Sequence, residues 1–74
     1  MTPEERVTMA IRLFAMNETM RDLRATVDAA ADVSKMAGAT DLAFATYFLS
    51  DSIAAYMEAV NRYFVREFSE LPRP

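Results

Sequence analysis

Apolar residues in the first half of the chain recur at alternating steps of four and three, at Met9, Leu13, Met16, Met20, Leu23, Val27 and Ala30. That spacing keeps side chains on one face of an α-helix. Thr2 supplies an N-cap oxygen, Pro3 fits the first helical position and Glu5 completes a capping box. Asn17 and Thr19 favour caps, but nothing there forces a break, so the pattern predicts one helix over residues 3–37. Gly38, the only glycine, tolerates the positive φ of a helix stop. Beyond a cap at Thr40 or Asp41, a second stripe runs through Leu42, Ala45, Leu49, Ile53, Tyr56/Met57, Val60, Phe64, Phe68 and Leu71. It predicts a helix over 41–70 that stops before Pro72.

The short Gly38-Ala39 connection folds the two helices back on each other, giving an all-α antiparallel hairpin that occupies residues 1–74 as a single domain. Residues whose numbers sum to about 78 should then lie opposite one another. Tyr47, Phe48 and Leu49 would meet Ala29, Ala30 and Ala31, Phe64 would meet Phe14, and Phe68 and Leu71 would approach Ile11 and Val7. Large against small in the first group would give a dense core.

The stretch from Leu42 to Met57 carries one charge, Asp51, and is apolar on almost every side. One neighbouring helix cannot cover such a segment, and a 74-residue chain has little else to cover it with. The chain has no cysteine and no histidine, so disulfides and thiolate or imidazole metal sites are excluded as reinforcement. Oligomerisation remains. A homodimeric four-helix bundle would give each helix two neighbours, with Phe48, Ser52, Ala55, Ala59 and Tyr63 as the expected dimer interface. Ser52, Ala55 and Ala59 are small enough for close approach near a two-fold axis.

Composition narrows the function. At 53% hydrophobic residues with few glycines and prolines, the chain is expected to fold. It begins without a basic segment followed by an apolar one, and the Leu42 to Met57 run is too short to span a membrane, so the reading is a cytoplasmic protein without a membrane partner. The net charge of −3 argues against general nucleic-acid binding. All the net acidity sits in residues 25–57, where Asp28, Asp32, Asp41 and Asp51 face Lys35 alone. Such a cluster can complement a basic surface and speed encounter with it, although ordinary surface acidity needs no such role. Phe44, Tyr47, Asp51 and Tyr56 have no evident internal duty. Together with Asp28, Asp32 and Asp41 they form the expected partner-binding set.

Catalysis finds little support. The chain lacks histidine and cysteine, carries none of the Glu-x-x-His pairs of diiron bundles, and with one glycine cannot form a phosphate-cradling loop. No cofactor and no metal site is expected. Arg6, Arg12, Arg62 and Arg66 gather at the open end and would serve a nucleic-acid-binding helical dimer, the alternative reading. They are interleaved with Glu4, Glu5, Glu58, Glu67 and Glu70, and spacings such as Glu58 to Arg62 fit ion pairs on a helix surface. A structural subunit of a larger assembly is a third reading.

In size and plan the chain resembles small phage-encoded and bacterial helical-hairpin regulators that sequester a host factor, such as quorum-sensing anti-activators that bind a transcription activator. The resemblance covers the whole chain and rests on no motif. MTPEERV, GATD and SELPRP punctuate helices, so no functional residue carries over. It implies a non-enzymatic protein that dimerises and acts as an inhibitor or anti-activator of another protein.

Overall fold

A computed structural model describes residues 1–68 and contains two helices, α1 (Pro3–Met36) and α2 (Thr40–Phe68), packed as an antiparallel hairpin about 51 Å long. The expected continuation of the second helix to Glu70, and Leu71 of its stripe, lie outside the described residues. At Thr2 the hydroxyl accepts from the Glu5 backbone N–H at 3.1 Å and donates to the Glu5 carboxylate. α1 therefore starts where the capping box predicts, and it runs unbroken through Asn17.

The turn is a Schellman motif. Gly38, at φ 77°, donates to the Lys35 carbonyl, and Ala39 donates to that of Ser34. The Ala39 carbonyl then accepts from Ala43 N–H. The first bond of α2 thus begins one residue before the expected cap, and Thr40 and Asp41 lie inside its first turn, where the Asp41 carboxylate faces the positive end of the helix dipole.

Three connecting residues, Ala37 to Ala39, hold the helices close together, and the contact seam is correspondingly narrow. It follows Leu13, Asn17, Met20, Arg24, Val27, Ala31 and Ser34 on α1 and Ala43, Thr46, Ser50, Ile53, Met57, Val60 and Phe64 on α2. All of these except Arg24 are buried or half-buried. Near the turn the seam is Ala31, Ala43 and Ser50, the most buried side chains together with Val27, Ile53 and Val60.

The expected stripes are half right. Met9, Leu13, Met20, Val27, Ile53, Met57, Val60, Phe64 and Phe68 turn inward. Ala30 gives way to Ala31, and Met16, Leu23, Leu42, Ala45, Leu49 and Tyr56 stand outside the seam. Large does not meet small near the turn. Phe48 is 75% exposed, Ala29 and Ala30 are exposed, and Tyr47 reaches Asp32 instead. Phe14 and Ile11 are also mostly exposed. At such close approach, small residues fit between the helix backbones and bulky ones are displaced to the flanks.

Polar groups occupy part of the seam. Ser50, 3% exposed, donates to Asp28 at 2.5 Å and accepts from Arg24 Nε at 3.4 Å. Buried Asn17 Oδ1 has no hydrogen-bond partner.

Two changes test the narrow seam. Ala31→Leu overpacks the closest approach and should cost about 1–3 kcal/mol in urea unfolding, whereas exposed Ala29→Leu should change stability by less than about 0.5 kcal/mol. Asn17→Leu removes an unsatisfied acceptor and should raise stability by about 1–3 kcal/mol. A loss at this position would mean that Oδ1 is satisfied.

Candidate partner-binding surface

The residues beside the seam make two flanks, because in an antiparallel helix pair the positions next to the contact recur every seven residues and line up by side. On one side lie Met9, Met16, Leu23 and Ala30 of α1 with Leu42, Leu49, Tyr56 and Tyr63 of α2. The Tyr63 hydroxyl, 3.3 Å from Met9 Sδ, ties the two rows together. This methionine-leucine flank leaves Leu42 59%, Leu49 50% and Met16 43% exposed.

The opposite flank carries Asp28 and Lys35 of α1 beside Tyr47 of α2, with Asp32, Phe44 and Asp51 on its outer edge. Tyr47 donates to Asp32 Oδ1 at 2.7 Å. That bond, then burial, then the negative charges of Asp32 and Asp28, raise the Tyr47 phenol above its ordinary pKa of 10.0. Next to it, Lys35, Thr40, Ala43, Phe44 and Tyr47 line a hollow of about 300 Å³. Phe44 is 69% exposed at its edge. The Phe44 and Tyr47 rings offer an aromatic anchor, the Lys35 ammonium is the one charge on the lining, and Asp32 is held outside it by the Tyr47 hydroxyl.

The expected partner set therefore divides. Asp28, Asp32, Phe44, Tyr47 and Asp51 share the acidic flank. Tyr56 lies on the methionine-leucine flank, and Asp41 points away from α1 in the first turn of α2. Asp51 is exposed, so the one charge of the apolar run carries no burial cost. The expected interface residues divide too. Ser52, Ala59 and Tyr63 border the methionine-leucine flank, whereas Phe48 and Ala55 face outward on the back of α2. The Ser52 hydroxyl is bonded to the Phe48 carbonyl of its own helix. Periodicity alone places Met16, Leu23, Leu42 and Leu49 in the hairpin core. Their exposure required the actual helix register.

At the open end Arg6, Arg62 and Arg66 are engaged within the chain. Arg6 donates to the Glu67 carbonyl at 2.9 Å and lies over the Phe68 ring, Arg62 pairs with Glu58, and Arg66 pairs with Glu67 and lies over the Tyr63 ring. Arg12 lines a hollow together with Glu4 and Glu5. Among the described residues no acidic group of three or more could hold a metal ion, and no helix is long and apolar enough to cross a membrane. No family model matches the chain, and no curated protein or solved structure is significantly similar to it.

The Tyr47–Asp32 bond has a pH signature. A raised phenol pKa favours the protonated form in the folded state, so its contribution is complete below pH 10 and is lost as pH rises through the raised value. In an alkaline titration followed by tyrosinate absorbance, Tyr47 should ionise above pH 10.0, and Asp32→Ala should bring it back towards that value. An unchanged titration in that variant would place the bond outside the solution structure.

Proposed function

We propose that this chain is a non-enzymatic, dimeric protein-binding regulator that acts in the cytoplasm by sequestering or inhibiting another protein, for example a transcription activator. The observation that carries this reading is the amount of large apolar surface left uncovered: Ile11 64%, Phe14 63%, Phe44 69%, Phe48 75% and Leu42 59% exposed on so short a chain. Exposed apolar area on this scale, bordered by charge, is the usual mark of protein interaction surfaces. The hollow lined by Phe44, Tyr47 and Lys35 supplies an aromatic anchor, and Asp28, Asp32 and Asp51 elsewhere on the same flank supply a field that steers a basic partner.

Affinity capture from the native host, followed by mass spectrometry and reconstitution with the purified candidate, tests the reading. One protein should bind stoichiometrically, and Phe44→Ala should weaken the purified complex by at least roughly 30-fold. Replacing Asp28 and Asp32 together by Asn should slow association at low salt by about 10-fold and leave the helical signal unchanged. Salt-sensitive retention of nucleic acid with no stoichiometric protein would replace this reading with the arginine-based alternative.

A further inference from the structure

We infer that the methionine-leucine flank is covered by a second copy of this chain, turned end for end, so that α2 packs antiparallel on α2 of the partner copy about a two-fold axis beside Ser52. The inference rests on the dimeric reading above and deepens it by naming the face, the axis and the direction.

The first support is area. The chain exposes 5896 Å², whereas a folded monomer of its mass exposes roughly 4,600 Å². The excess of roughly 1,300 Å² is shared with the outward-facing Phe44 and Phe48, and covering about half of it on each copy would bury about 1,300 Å² in all, the size of a standard specific interface. The flank has the dimensions for this, since it runs the length of a hairpin measuring 51 by 22 Å in its longer directions. A single short peptide would leave most of it bare.

The second support is the distribution of small residues. Ala45, Ser52 and Ala59 recur every seven residues along the α2 edge of this flank and are exposed. In an antiparallel pair centred on Ser52, Ala45 of one copy meets the partner copy's small residue at the matching distance beyond the centre, and Ser52 meets itself. The α1 edge carries Arg12, Thr19, Thr26 and Val33 in the equivalent places. Close approach is therefore easier between the two α2 helices than between the two α1 helices.

Net charge favours this direction. The turn half, residues 25–57, has four aspartates against Lys35, while residues 1–24 balance four acids with four arginines. Packing turn beside turn would set like charges together. The end-for-end arrangement sets each net-acidic turn half beside the charge-balanced open half of the other copy. The acidic flank with Tyr47 and Phe44 stays uncovered.

The absence of native cysteine allows a test that does not depend on stability. Ser52→Cys, oxidised in dilute solution, should convert nearly all chains to disulfide-linked pairs, because two cysteines beside the axis come within bridging distance. Glu58→Cys, on the opposite side of α2, should remain monomeric on a denaturing gel. Wild type should sediment as a dimer at micromolar concentration, and Leu49→Glu should raise its dissociation constant by at least roughly 30-fold. A folded wild-type monomer at 100-fold higher concentration, or preferential cross-linking through Glu58→Cys, would overturn the inference. A dimer whose Ser52→Cys variant does not cross-link would overturn the face and direction. Cross-linked pairs that capture no other protein would leave this interface standing and remove the regulator reading. Capture by a monomer would do the reverse.

Discussion

The close contact of α1 and α2 at Ala31, Ala43 and Ser50 governs the rest of the molecule. A three-residue connection closed by the Gly38 Schellman turn leaves the helices little room to separate, so the seam near the turn admits only small side chains. A seam of small residues removes little apolar area from water, and the large residues around it must find cover elsewhere or stay in solvent. The core of this hairpin is therefore unusually modest. Among the described residues the buried hydrophobic side chains are Val27, Ala31, Ala43, Ile53 and Val60, a thin core for a chain of this length.

Polar groups within the seam add selectivity to a contact that apolar packing alone would leave loosely registered. Ser50 bonds to Asp28 and accepts from Arg24. A slip of α2 by one turn would separate the serine from the aspartate and bury a hydroxyl without a partner. Asn17 sits in the same seam further from the turn, where a buried amide discourages alternative pairings at some cost in stability. At the open end, Arg6 closes over Phe68 and bonds the Glu67 carbonyl, joining the start of α1 to the end of α2.

Much of this was legible in the sequence because it depends on local chemistry. Thr2, Pro3 and Glu5 mark one helix start, Gly38 marks the stop, and the unbroken periodicity through Asn17 marks a single long helix. The side of each helix that faces its neighbour was less legible. Leu42 and Leu49 fit a helical stripe as well as Ala43 and Ser50 do, and hydrophobicity favours the leucines. The structure chooses the alanine and the serine because interhelical distance, which no single stripe encodes, decides which sizes fit. For the same reason the expected site was found only in part. Asp28, Asp32, Phe44, Tyr47 and Asp51 come together, whereas Tyr56 is carried to the opposite flank with the leucines.

The opposition of the two flanks sets a limit on stoichiometry. If the methionine-leucine flanks are sealed together, the two acidic flanks face away from each other on opposite outer surfaces, with their aromatic hollows at opposite ends of the bundle. Such a particle is bivalent, and neither hollow obstructs the other. A monomeric target would fill the two hollows independently. A target that is itself a dimer could be held through both only if its own sites reached around the bundle. Otherwise each bundle would bridge two different target dimers, and inhibition would proceed by cross-linking into larger assemblies.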